Sequence, residues 1–142
     1  MSVHDMYREV ILSHAQQPHH CGKLPGATGC VERENTSCGD AITLCAIIQD
    51  DILVDMRYES QGCAISIASA SMMTDALIGA TTRDAAEFLA NFRAFLIEHT
   101  ELMPALEELD ALEGVRQFPA RIKCALLAWQ ALEDILRRAS PV

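Results

Sequence analysis

At 142 residues, half of them hydrophobic, with a mean hydropathy of +0.12, the chain is expected to be one folded domain spanning 1–142 and not a disordered segment. A formal net charge of −9 and a pI near 4.9 leave no basic face for a nucleic acid. No uninterrupted apolar run is long enough to span a membrane and the N-terminus lacks the pattern of a signal peptide, so a cytoplasmic protein is expected.

Residues 3 to 16 place Tyr7, Val10, Ile11 and His14 at helical spacing and predict an amphipathic helix. His4, His14 and His99 fall at helical positions that packing or exposure explains. The stretch "QQPHHCGKLPGATG", with its prolines and glycines, predicts a loop. Its His19, His20 and Cys21 are potential metal ligands, but adjacent ligands in a glycine-rich loop make a poorly preorganised site. Strands begin near residue 28. "AITLCAII" reads as a strand covered on most of its surface, and "QDD" as a tight polar turn. In "ILVDMRYES", Ile52, Val54, Met56 and Tyr58 fall on one face, and Asp55, Arg57 and Glu59 on the other. That alternation predicts an antiparallel sheet packed on one side.

The rest reads as helical. "AISIASASMMTDALIG" is dense in Ala and Ser, which predicts close backbone packing against a neighbour, and it stops at Gly79. A second helix follows, with Thr81 or Thr82 as cap and Phe88, Phe92 and Phe95 on one face. "TELMPALEELDALEGV" is acidic and reads as a short helix in a partly exposed excursion. Pro119 suits the first position of the last helix, and Arg137 and Arg138 suit its C-terminal end. Strands first and helices afterwards predict an α+β domain: a small antiparallel sheet of about three strands with helices packed on one face.

Six cysteines stand far apart, with no C-x-x-C pair, so any site they form is built by the fold. A reducing cytosol disfavours structural disulfides. Cys45 lies in an apolar run and reads as a small core residue; Cys30 and Cys21 lie in polar loops. Three others share a kind of position. Cys38 precedes a strand beside Gly39 and Asp40, Cys63 precedes the Ala/Ser helix, and Cys124 lies in the second turn of the last helix with Arg121 on its face. A thiolate is favoured at a helix N-terminus or beside Arg and Lys, as in reactive or metal-binding sulfur, yet buried structural cysteines also occur at helix starts. "SCGD" alone is also explained as a turn.

Taken together, "SCGD", "GCAISIASASMMTDAL" and "FPARIKCALLAW", with the opening "MYREVILSHAQQPHHCGKL", resemble the U-type iron–sulfur assembly proteins, the IscU/SufU/NifU N-terminal family. The resemblance covers nearly the whole chain in order. It is closer to SufU: Lys123 stands before Cys124 where IscU-type scaffolds carry a His, and "EHTELMPALEELDALEGV" looks like the SufU insertion. By that resemblance Cys38, Asp40, Cys63 and Cys124 are the ligands of one zinc ion. The expected role is zinc-dependent sulfur transfer, in which Cys38 accepts persulfide sulfur from a pyridoxal-phosphate-dependent cysteine desulfurase. The sulfur then passes to an iron–sulfur assembly complex. Arg121 is expected to stabilise the freed thiolate or the docked state, and with Lys123 to offset part of the site's negative charge. The alternatives are a scaffold carrying an iron–sulfur cluster on the same four residues, and a zinc-stabilised interaction module without transfer chemistry.

Overall fold

The computed structural model describes residues 3–139, with side chains described from Asp5 onward; His4 lies outside the described side chains. Helix α1 (Val3–Gln16) leads through a loop into three antiparallel strands, β1 (Gly29–Asn35), β2 (Asp40–Gln49) and β3 (Ile52–Gln61), ordered β1-β2-β3. Helices α2 (Ala64–Leu77) and α3 (Thr82–Glu98), a 3₁₀ segment (Pro104–Gln117) and helix α4 (Pro119–Ala139) complete the chain. Helix α4 lies across β1 and β2, and α2 packs beside β3, so this is the expected α+β arrangement. Among the described residues no helix is long and apolar enough to cross a membrane.

The side-chain period of two builds the sheet's inner face. Ile42, Leu44 and Ala46 of β2 are buried, together with Val31, Met56 and Tyr58 of its neighbours. The β3 alternation departs from expectation at its start. Leu53 is wholly buried, whereas Ile52 and Val54 are 38% and 44% exposed. The cause is a register shift: Ile47 faces Asp55, but the next residue, Ile48, faces Leu53. Val54 is the extra residue of a β-bulge, and one extra residue reverses which side chains face inward. The β2–β3 turn places Asp50 and Asp51 at φ values of +52° and +60°, the backbone of a tight two-residue hairpin.

The same parity corrects the expectation for Cys45. With Ile42, Leu44 and Ala46 turned inward, Cys45 lies on the outer face, half-buried, and is not a core residue. It sits directly opposite Cys30, with Cα atoms 4.1 Å apart, and the two are joined as a disulfide. Cys30 therefore belongs to β1 and not to a loop, and a disulfide stands where reduced thiols were expected.

The small residues of α2 do allow close packing. The buried Ser69 hydroxyl donates to the Ala125 carbonyl of α4 at 2.7 Å and accepts from Trp129 Nε1 at 3.0 Å, so three buried polar groups satisfy one another. Trp129 stacks on Phe92 of α3 with ring centroids 4.4 Å apart. Thr81 caps α3, its hydroxyl accepting from the Asp84 N–H. Gly79 follows the end of α2 at φ +93°, as a left-handed helix terminator.

The acidic segment is not an exposed excursion. It forms a 3₁₀ helix whose Leu106, Leu109, Leu112 and Val115 are buried, packed among α1, α2, α3 and α4. Apolar residues every third position make one continuous ridge at three residues per turn, which an α-helix of 3.6 residues per turn would scatter. Asn91 fixes its entry, donating to the Glu101 carbonyl and accepting from the Met103 N–H.

Candidate metal centre

Four residues separate β1 from β2, and they form a tight turn at one end of the sheet. The N–H groups of Cys38 and Gly39 both donate to the Asn35 carbonyl, at 3.3 and 2.9 Å, while Ser37 N–H donates to Asn35 Oδ1. Gly39 takes φ +74°, so the turn reading of "SCGD" holds as local structure. Asp40 then opens β2 on its inward face and is 1% exposed. A carboxylate so buried needs partners.

It finds them. The Cys63 N–H donates to Asp40 Oδ1 at 2.9 Å, and the Cys38 thiol donates to Oδ2 at 2.9 Å. The Cys63 thiol stands 3.7 Å from the same oxygen. Cys63 is the N-cap residue of α2, reached from β3 through Gly62. A Cβ on Gly62 would lie 2.1 Å from Asp40 Oδ1, so only glycine lets the chain pass this close. Cys124, buried in α4, brings its sulfur to 3.2 Å from that of Cys38 and receives a long contact from Asn35 Nδ2 at 3.9 Å. Cys38, Asp40 and Cys124 each offer a ligand atom within 4.8 Å of the others.

The electrostatics follow from this crowding. Burial works to raise the Asp40 pKa, but the Cys38 and Cys124 thiols and the Cys63 N–H outweigh it, and the carboxyl is held below its ordinary value. Burial first, and the hydrogen bond with Asp40 second, push the Cys124 thiol well up. A metal entering the cluster must displace the Cys124 thiol proton. Three sulfurs and one carboxylate oxygen make a four-donor set that suits zinc. Sulfur donors of this kind also hold iron–sulfur clusters.

The structure therefore brings Cys38, Asp40 and Cys124 into one ligand set, while the Cys63 sulfur stands beside it, 3.7 Å from Asp40 Oδ2 but outside the 4.8 Å grouping. Arg121 is placed differently. It is exposed at the start of α4, its guanidinium 4.7 Å over the Phe118 ring. Among the described residues no hydrogen bond or ion pair joins it to the thiols or to Asp40, and Lys123 is exposed. Sequence reading missed Asn35 and Gly62. The first was legible in "NTSCG", where Asn precedes a glycine-containing turn. Gly62, next to Cys63, reveals its role only once Asp40 is folded against it.

Residues 6–138 match the family model described as the NifU-like N terminal domain, and the chain belongs to that family. It is 40% identical over 138 residues to the iron–sulfur cluster assembly scaffold protein IscU of Streptococcus pyogenes serotype M1, covering 95% of this chain and 85% of that protein. It is also 40% identical over 132 residues to the zinc-dependent sulfurtransferase SufU of Bacillus subtilis strain 168, covering 90% and 87%. The crystal structure of a NifU-like protein (N-terminal) from Brucella abortus superposes with a TM-score of 0.88 at 26% identity, covering 96% and 95%. The family is one of iron–sulfur cluster assembly, and identity alone does not separate scaffold from sulfurtransferase.

Proposed function

We propose that this chain is a zinc-dependent sulfur-transfer protein of the cytoplasm, acting as one domain. It takes persulfide sulfur from a pyridoxal-phosphate-dependent cysteine desulfurase of the SufS type and passes it to an iron–sulfur assembly complex. The observation that carries this reading is the position of Cys38. Asp40 is buried at a strand start, Cys63 caps a helix and Cys124 is buried within one. Cys38 and Cys63 are both solvent-exposed, but only Cys38 sits on a turn between strands, its sulfur 2.9 Å from the Asp40 carboxylate and 3.2 Å from the Cys124 sulfur. As a turn residue, Cys38 can shift toward a partner's sulfur without disturbing a helix start, which the N-cap residue Cys63 cannot.

Cys38, Asp40, Cys63 and Cys124 would hold the zinc, which supplies stabilisation of thiolates near neutral pH. The Cys38 thiolate attacks the terminal sulfur of the desulfurase persulfide. A new S–S bond forms on Cys38, the old one breaks, and the desulfurase cysteine leaves as thiolate. Asp40 orients Cys38 and is itself fixed by the Cys63 N–H. Arg121 and Phe118 present a cation and an exposed ring at the start of α4, a turn before Cys124, and we assign them to the docked state. Lys123 before Cys124 and the 3₁₀ segment, both SufU-like features, favour transfer over the scaffold.

The test is desulfurase turnover with and without the chain, beside metal analysis and an anaerobic absorption spectrum. Stoichiometric zinc, no cluster band and stimulation abolished by Cys38→Ala support transfer; persistent stimulation by that variant refutes the acceptor assignment. The scaffold reading, favoured by the equal likeness to the Streptococcus protein, predicts instead a reconstituted cluster delivered intact to an apo-ferredoxin.

A further inference from the structure

A second group of ligands stands apart from the cysteine cluster, where α1, the following loop and α2 meet. The "PHHC" loop is not the loose segment its glycines suggest. Gly22 N–H donates to the Tyr58 carbonyl at 2.9 Å and Tyr58 N–H donates to the His20 carbonyl at 3.3 Å, so the loop is zipped to the edge of β3. The backbone N–H of His19 is tied to Ser71 Oγ of α2 at 2.9 Å. Thus fixed, His19 brings Nδ1 to 2.6 Å from Asp75 Oδ2, and His20 lies 3.4 Å from the other oxygen of Asp75. His14 comes from the last turn of α1, its ring centroid 4.7 Å from that of His19. His14, His19 and Asp75 each offer one ligand atom within 4.8 Å of the others.

We propose that His14, His19 and Asp75 form a second cation site, for a divalent transition metal of the borderline class that imidazole and carboxylate ligands share. The surroundings of His14 suit a ligand. Its Nε2 meets Glu108 Oε1 at 2.5 Å, and its Nδ1 meets the Ser71 hydroxyl at 2.6 Å. A carboxylate on one ring nitrogen fixes the tautomer and makes the other nitrogen the better donor, the arrangement found behind metal-bound histidines. Nδ1 is then the ligand atom, and the Ser71 hydroxyl yields to the cation. Entry is open: the His19 side chain is 50% exposed and that of Asp75 34%, while His14 is 7% exposed and anchors the floor. The Tyr58 hydroxyl, fully buried with no hydrogen-bond partner among the described residues, stands near Cys21, Ser71 and Asp75. A metal-bound water is the kind of group that would satisfy it.

The probes are Zn²⁺ and Co²⁺ added to the whole chain. Equilibrium dialysis should show two equivalents of Zn²⁺ in the wild type. With Co²⁺ the thiolate cluster gives intense near-ultraviolet sulfur-to-metal bands, whereas the second equivalent adds only weak visible bands of nitrogen and oxygen ligation. His19→Ala and Asp75→Asn should each weaken that equivalent at least about tenfold with the sulfur bands unchanged, and Glu108→Gln should weaken it by about tenfold through His14. Cys38→Ser should leave it intact. His19 and Asp75 are exposed enough for folding to survive, which far-ultraviolet circular dichroism checks. One equivalent in the wild type, a second one indifferent to His19→Ala and Asp75→Asn, or sulfur bands from both equivalents would overturn the site.

Discussion

Replacing Gly62 by alanine strikes the candidate centre through its backbone. The new Cβ would sit 2.1 Å from Asp40 Oδ1 and 2.7 Å from its Cγ, where contact requires about 3.5 Å, so the carboxylate must move by roughly 1.4 Å. That displacement breaks the 2.9 Å bond from the Cys63 N–H and the 2.9 Å bond from the Cys38 thiol. Losing the Cys63 N–H bond to this buried charged group costs about 1.5–3 kcal/mol, whereas the exposed Cys38 thiol regains a partner in water and adds little. A non-glycine residue at φ +148° adds about 1–3 kcal/mol of backbone strain. Together Gly62→Ala should lower stability by about 3–5 kcal/mol, a melting-point drop of roughly 10–15 °C for a chain of this size. Zinc affinity, read by competition with a chromophoric chelator, should fall about 10- to 100-fold as Asp40 loses its anchor. Gly39→Ala is the control: it shares a positive φ, +74°, but its Cβ meets nothing within 4 Å. It should carry strain of about 1–2 kcal/mol and leave zinc affinity nearly unchanged. If the two variants behave alike in melting and in zinc competition, the proposed dependence of the site on Asp40 is wrong.

The bulge in β3 predicts that Leu53→Ala costs about 2–5 kcal/mol in denaturant unfolding, while Val54→Ala stays within about 1 kcal/mol; the reverse order would restore the simple alternation. Ser69→Ala should cost about 1–3 kcal/mol, since it strands the Trp129 N–H inside the core. The Arg33 guanidinium beside Asp134 holds that carboxyl below its ordinary value of 3.8. A carboxyl lowered by folding contributes stability above its unfolded pKa and loses it as pH falls through the folded one. Asp134→Asn should therefore cost roughly 0.5–1 kcal/mol at pH 7, discounted for exposure, with the difference vanishing in the acid range when melts are compared across pH.

The class of fold is legible because strand alternation and the Ala/Ser helix are both local patterns that packing reinforces. Cys38, Asp40, Cys63 and Cys124 are legible only as an ordered set, since each motif alone fits a turn, a helix start or a core position. What the sequence hides is tertiary in origin. The β3 phase depends on how β2 pairs with it, and the partner of Cys45 depends on the register of β1. The leucines at 106, 109 and 112 signal a three-residue period, but acidic neighbours mask the apolar ridge. His19 is a loop residue until β3 and α2 pin it beside Asp75.

The central claim is that Cys38 receives sulfur, and the most direct measurement is mass spectrometry of the chain after incubation with the desulfurase and free cysteine, alkylated without reduction. One added sulfur on the Cys38 peptide, absent from Cys38→Ala, is the predicted result. Sulfur carried on Cys63, Cys124 or Cys21 instead, or no added sulfur despite stimulated turnover, would contradict it.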